Sequence, residues 1–474
     1  MSHRGGNRSD VPGAAARVTT KPASVAAPTT TRDQSPPSRL RMILVLGALV
    51  ALGPLTIDVY LPALPAITDD LNSTDAAVQF TLTGTLIGLA VGQLVIGPLS
   101  DALGRRRPLI AGTAVHIVAS LLCMIAPSVA VLGVTRALQG FGAAATMVIA
   151  LAIVRDLYEG RAAATVLSRL VLVMGVAPIV APSLGGIVLL QGSWRGIFAG
   201  LAVAGVLLML VALVFLRETL PTDRRRAPEV VPVLRTYGSL LRDRSFVVLV
   251  LVAGLGMSAL FAYISGSSFV LQDGYGLGEQ QFALVFGVGA VALIGASQLN
   301  VLALQRYSPA RIVTVALVAM AISGTALIVT TTTEAGGVVG FMIPVLCVLA
   351  SAGFVMPNSP ALALSRHGEA AGTAAALLGA AQFGLGALIA PLVGALGNDG
   401  PAMAVTMTGG ALVALAALAY ARPDRDRPET VVDGSATETP VDGSATETPV
   451  DGSATETPVD GSATETPVDG SATA

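Results

Sequence analysis

The chain has 474 residues, of which 53% are hydrophobic and only 12% charged, against roughly 25% charged in soluble domains. With a mean hydropathy of +0.73, that composition excludes an ordinary soluble globular protein and reads as an all-α membrane protein. The formal net charge of −2 conceals a strong sorting of charge along the chain and by itself says little about partners. Cys123 and Cys347 both lie in apolar runs without metal-ligand or disulfide spacing, so they read as small core residues. No metal, cofactor or nucleic-acid partner is expected. Abundant Gly and Ala with few aromatics predict closely packed membrane helices.

Residues 1–41 are rich in Ser, Thr, Pro, Ala and Arg with no apolar stretch before Met42, which predicts a disordered tail rather than a secretory signal. An organelle transit peptide is the alternative for an Arg-rich, acid-poor leader, but nothing marks a cleavage site. A spanning helix needs roughly 20 mostly apolar residues. Stretches free of Asp, Glu, Lys and Arg occur at 42–68 (broken only by Asp58), 76–100, 108–135, 137–154, 170–194, 196–216, 245–272, 280–305, 312–333, 335–365, 370–398 and 400–421. These twelve predicted spans fall six and six about the loop 221–245, and the polar stretch at Pro127 and Ser128 is the better turn between the third and fourth, which leaves Arg136 inside the fourth. The expected organisation is a first six-helix half at 42–220, a cytoplasmic linker at 221–245 and a second half at 246–421. Arginines cluster on alternate loops, as in Arg105 to Arg107, Arg155 and Arg161, and Arg224 to Arg226; the opposite loops lack Lys and Arg apart from Arg195. The positive-inside rule then puts both termini in the cytoplasm of a multi-pass cell-membrane protein. Over 422–474 the nine-residue unit VDGSATETP recurs, too polar to bury a core, and predicts a disordered acidic tail.

After the second span the chain reads GPLSDALGRRRPLI, Gly97 to Ile110. Gly104 permits a tight turn, and Asp101 with Arg105, Arg106 and Arg107 could form a latch between helix ends that opens when the halves rock. A purely topogenic positive loop is the simpler reading of the arginines. This stretch resembles the signature loop of the major facilitator superfamily. RALQGFGAA from Arg136 resembles the family's Arg-containing motif in the fourth span, and GVAPIVAPSLGG, Gly175 to Gly186, resembles the antiporter motif of proton-coupled drug exporters. DVYLPALP from Asp58, FAYISGSSFVLQ from Phe261 and GFVMPNSPALALS from Gly353 resemble the Bcr/CflA drug-resistance subfamily. The chain departs from the pattern at Ala181–Pro182, where Gly-Pro is usual, and in NVLALQRYSPARI, whose second-half signature loop lacks the acid and the glycine; any latch should therefore be asymmetric.

The resemblance implies a drug:proton antiporter that exports amphipathic small molecules such as chloramphenicol-like or bicyclomycin-like antibiotics, as a monomer whose partners are its solute, protons and the bilayer. A metabolite exporter or an uptake symporter of the same fold is the alternative, and a membrane sensor or intramembrane enzyme a more distant one. An enzyme would need a nucleophile with its base, or a ligand cluster, within the spans, and those hold little beyond Asp58, Arg136 and His116. A charge at bilayer depth costs about 2.5 to 3.5 kcal/mol, so Asp58 and Arg136 are expected to face a cavity or each other and to carry the coupling. A carboxylate drawn one way by burial and the other by an arginine is readily switched; a static packing pair is the alternative. Pro178, Pro182, Gly185 and Gly186 should bend the fifth helix and bring it close to a neighbour. Candidate solute contacts are Tyr60, Gln79, Tyr263, Asn300, Asn358 and Gln382, with Phe261, Phe269 and Met356 as apolar wall. His116 reads as a hydrogen-bonded packing residue.

Overall fold

The computed structural model describes residues 39–225, 230–365 and 371–420. The expected disordered tails lie outside them, the C-terminal repeats entirely and the N-terminal tail apart from Arg39 to Arg41. The described residues form helices without a strand. In chain order they are α1 Arg39–Asp58, α2 Leu64–Asp70, α3 Asp75–Leu103, α4 Arg106–Met124, α5 Val129–Leu157, α6 Gly160–Gln191, α7 Arg195–Phe215, α8 Val230–Arg242, α9 Arg244–Gly256, α10 Ser258–Phe269, α11 Glu279–Leu304, α12 Pro309–Thr332, α13 Gly337–Leu364, α14 Ala371–Ala395 and α15 Gly400–Tyr420. Among these residues twelve segments are long and apolar enough to cross a membrane, the first being α1 with α2 and the seventh α9 with α10.

Short polar side chains start the helices where the sequence supplies them. Thr74, Ser128 and Ser308 accept the backbone N–H of Ala77, Val131 and Arg311, and Asp243 accepts those of Ser245 and Phe246. Each satisfies a donor that the first turn leaves without an intrahelical partner. Packing between spans relies on missing side chains. On α3, Gly84, Gly88 and Gly92 recur every four residues and form one stripe. A Cβ at Gly84 or Gly88 would run into the backbone of α5 at Gly133 or Ala137, and one at Gly92 would meet Ala144. Gly140 of α5 sits equally tightly against the Thr85 carbonyl, and Gly142 against α4 at His116. The small-residue composition is thus spent on seating α5 between α3 and α4.

Three sequence expectations are corrected. The first helix begins at Arg39 rather than Met42, because Arg41 covers the Phe215 ring at 5.9 Å and does not end the helix. The fifth span begins at Gly160 rather than 170, so Arg161 and Arg169 stand on α6 and are exposed; a scan that stops at every charge truncates a helix whose first turns face solvent. The region 221–245 contains the helix α8. Arg195, the exception to the charge pattern, has its own partner: it lies 2.5 Å from Asp70 and 4.2 Å above the Trp194 ring, while the Trp194 indole N–H donates to the same carboxylate at 3.1 Å.

Candidate functional site

The first span is interrupted where the sequence places Pro62 and Pro65. Here α1 ends at Asp58, a tighter turn runs Leu61–Ala63, and α2 resumes at Leu64. Proline lacks an N–H, so the carbonyl four residues earlier goes without its usual donor. For Pro65 that carbonyl belongs to Leu61. It takes the N–H of Leu64 and, from the second half of the chain, the hydroxyl of Ser268 at 2.7 Å. Gln272 donates to the Pro62 carbonyl at 3.2 Å and to Ser268 Oγ at 2.6 Å. Nearby, Gln79 of α3 donates to Asn398. The same logic recurs near the other end of the bundle: Pro98 denies Leu94 its donor, and the Tyr237 hydroxyl of α8 reaches the Leu94 carbonyl at 3.2 Å. At both ends, then, a carbonyl released by proline in the first six spans is bonded by a hydroxyl from beyond them.

Below the break lies a buried polar network. Arg136 of α5 is fully buried. Its Nη1 donates to the Thr56 carbonyl at 2.8 Å and to Gln139 Oε1 at 2.6 Å, and its guanidinium lies 4.0 Å from the Tyr60 ring centroid and 5.7 Å from that of Phe198. Thr56 is in the last turn of α1, so Arg136 satisfies a C-terminal carbonyl and complements the helix dipole, with cation–π stacking in addition. Gln139 Nε2 donates to Ser120 at 2.8 Å, and Ser120 donates to the His116 carbonyl at 2.7 Å. The Thr56 hydroxyl gives its proton to the Leu52 carbonyl at 2.6 Å, so His116, 2.9 Å away, must donate to it through Nε2. In the neutral ring that is the Nε2–H tautomer, with Nδ1 as an acceptor.

Asp58 is 2% exposed. It does not form the expected ion pair with Arg136, whose described partners are Thr56, Gln139 and two aromatic rings. The helix terminus takes the guanidinium instead, through the Thr56 carbonyl. Asp58 Oδ1, Tyr60 OH, Arg136 Nε and Nη2, and His116 Nδ1 meet no hydrogen-bond partner in the protein. Buried polar groups with unused capacity are costly, and at membrane depth they are the first candidates for a functional site.

The remaining candidates divide. Gly185 packs on the break itself, because a Cβ there would strike the Val59 carbonyl, and Gly186 faces α11 near Glu279 and Ala283, where Gln280 donates to its carbonyl at 3.5 Å. Pro178 and Pro182 lie inside α6 without ending it. Tyr263 stacks on Phe286 with centroids 4.9 Å apart, and its hydroxyl has no partner. Phe261 and Phe269 are buried, and Met356 and Gln382 are half-buried. Asn300 and Asn358 bond each other at 2.7 Å and so serve as an interhelical bond. Gln79 is committed to Asn398. Gln139, Ser120, Thr56, Ser268 and Gln272 were not singled out from sequence; Gln139 at i+3 from Arg136 was the accessible clue. Among the described residues no group of three or more His, Cys, Asp or Glu is placed to hold a metal ion.

The signature loop closes within the first half. Gly104 ends α3 at φ +89°, where glycine is favoured. Arg105 bonds Asp101 at 2.5 Å, Ser100 at 2.8 Å and Asp156 of α5 at 2.9 Å. Glu218, just past α7, accepts the Arg105 and Arg106 backbone N–H at 2.7 and 3.2 Å and so caps α4. Gly97 has room, with Val148 4.0 Å from where its Cβ would stand. Partial burial opposes ionisation of Glu218, but the N–H groups of Arg105, Leu220 and Arg106 and the nearby Arg225 outweigh it and hold the carboxyl below its ordinary range. The contacts of this loop thus join the ends of α3, α4, α5 and α7, all within the first half.

Residues 44–391 match the family model described as Major Facilitator Superfamily. The chain belongs to the major facilitator superfamily. This major facilitator protein is 39% identical over 362 residues to a Bacillus subtilis (strain 168) protein described as the uncharacterized MFS-type transporter YdgK, covering 75% of this chain and 89% of that one. It is 31% identical over 384 residues to a bicyclomycin resistance protein homolog of Haemophilus influenzae, covering 80% and 94%. It is also 31% identical over 342 residues to the multidrug resistance protein MdtL of Escherichia coli O45:K1, covering 72% and 85%. The solved nucleoside transporter NupG superposes with a TM-score of 0.66 at 13% identity, covering 81% of this chain and 100% of that one. The xylose transporter XylE from E. coli, partially occluded and inward open, gives 0.64 at 14%, covering 81% and 98%. At those identities the two structures show the fold alone. Major facilitator proteins are membrane transporters of small molecules, usually moved with protons.

Proposed function

We propose that the protein is a proton-coupled antiporter that exports amphipathic small molecules, including bicyclomycin-like or chloramphenicol-like antibiotics, and has no enzymatic activity. The observation that carries this reading is the buried, unpaired Asp58 at the break in the first span, beside an Arg136 that is held only by neutral partners. The relatives named for bicyclomycin and multidrug resistance support the solute class. Both termini are taken as cytoplasmic, with the arginine-rich end of Arg105 and Arg225 inside and the Asp70–Arg195 end outside. The working unit is a monomer in the cell membrane.

In this cycle Asp58 takes a proton from outside, which lessens its pull on Arg136. Arg136 then stays with Thr56, Gln139 and Tyr60. Solute entering from the cytoplasmic side engages the free Tyr60 and Tyr263 hydroxyls and the aromatic wall, and favours loss of the proton inward. Gly185, pressed on the Val59 carbonyl, carries the movement of α6 to the break. One proton crossing about 100 mV gains roughly 2.3 kcal/mol, and half a pH unit adds about 0.7 kcal/mol. Together these sustain roughly a 150-fold gradient of a neutral solute. Expression in a drug-sensitive, efflux-deficient host challenged with a broad compound panel tests the solute class. Raised resistance to several unrelated amphipathic compounds is expected. Resistance to none, with uptake or export of one polar metabolite instead, would reject it.

A further inference from the structure

Helix α8 is patterned unlike the spans. In VVPVLRTYGSLLR, residues Val233, Tyr237 and Leu240 share one face, Leu234 and Leu241 lie seven residues apart along its edge, and Arg235 and Arg242 repeat the interval beside them. Two contacts fix its roll. Leu240 is 3% exposed and packs with Phe246, Ala363, Ala374 and Leu378, and Tyr237 bonds the Leu94 carbonyl. That roll leaves Leu234 60% and Leu241 58% exposed. Arg235, Arg242 and Arg244 are exposed as well, and none of them takes part in the ion pairs among the described residues.

Depth follows from the connections. Only Asp243 separates α8 from α9, where the seventh span begins. Leu94 is nine residues short of the end of α3 at Leu103, about 13 Å along the helix axis. The helix is therefore held beside the last turns of the bundle, at the bilayer boundary. Exposed leucines there meet acyl chains, and unpaired arginines meet headgroups.

We propose that α8 is an interfacial helix that docks anionic phospholipid, with Leu234 and Leu241 among the acyl chains and Arg235, Arg242 and Arg244 on the headgroup phosphates. Leu240 ties the helix to the second half and Tyr237 to the first, so headgroup capture bears on both. The proposal holds whatever solute is carried. To test it, the full chain is reconstituted in nanodiscs of phosphatidylcholine with or without phosphatidylglycerol of the same acyl chains, and retained lipids are counted by native mass spectrometry. Preferential retention of phosphatidylglycerol is expected. The Arg235→Gln/Arg242→Gln variant should lose roughly 25-fold of that preference, at roughly fivefold per arginine near an anionic surface. Equal retention by both proteins, or no headgroup preference in the wild type, overturns the proposal. A fluorophore on Leu241→Cys, with Cys123 and Cys347 replaced, gives a second readout. Quenching by brominated lipid is expected, and quenching by aqueous iodide, or burial by a bound protein, overturns the proposal.

Discussion

Replacing Ser268 by Ala removes the hydroxyl that reaches the carbonyl released by Pro65. With the two halves in contact here, Ser268 donates to Leu61 at 2.7 Å and accepts from Gln272 at 2.6 Å. Leu61 keeps its bond from Leu64, so the carbonyl is under-satisfied rather than orphaned, and the loss is at the low end of the range for a buried bond, about 1 kcal/mol. When this end of the bundle opens, water replaces the hydroxyl and nothing is lost. The open-to-closed ratio should therefore rise roughly fivefold, since 1.4 kcal/mol is tenfold. Spin labels at Asp69→Cys and Asp273→Cys, exposed on the two sides of this closure, read that ratio as the fraction of long distances in a pulsed dipolar experiment. An unchanged distribution in Ser268→Ala would refute the idea that proline-released carbonyls hold the halves together.

Gly88→Ala should lower the melting temperature of the detergent-purified protein by several degrees, because its Cβ meets α5 backbone that cannot rotate aside. Gly133→Ala, where a Cβ meets nothing within 4 Å, should leave it unchanged in the same fluorescence melt. Glu218 supplies stability that is fully present above the ordinary glutamate range and is lost as pH falls through its lowered folded value. The stability gap between wild type and Glu218→Gln should therefore narrow on acidification, and a gap that widens would contradict the capping role.

The twelve spans were legible because apolar runs of spanning length are hard to mistake, and abundant Gly and Ala pointed to close packing without showing that a stripe on α3 would carry it. Helix starts were less so: Arg41 and Arg169 sit on helices because a neighbouring ring or exposed early turns tolerate them. The candidate site was legible as a pair of intramembrane charges, but the direct Asp58–Arg136 bond was not formed, since the end of α1 offers the guanidinium a carbonyl that no sequence pattern advertises. Ser268 and Tyr237 were invisible for a related reason. Their partners lie 207 and 143 residues away, and only the roll of packed helices brings them within reach. The prolines did announce which carbonyls would need a donor; the donor itself had to come from the fold.

Proton release on adding a transported drug to the detergent-purified protein, measured in weakly buffered solution beside Asp58→Asn, tests the coupling role of Asp58 most directly. Wild type is expected to release protons, and the variant to bind the drug and release none. A variant that binds and releases protons like wild type would place the coupling proton elsewhere.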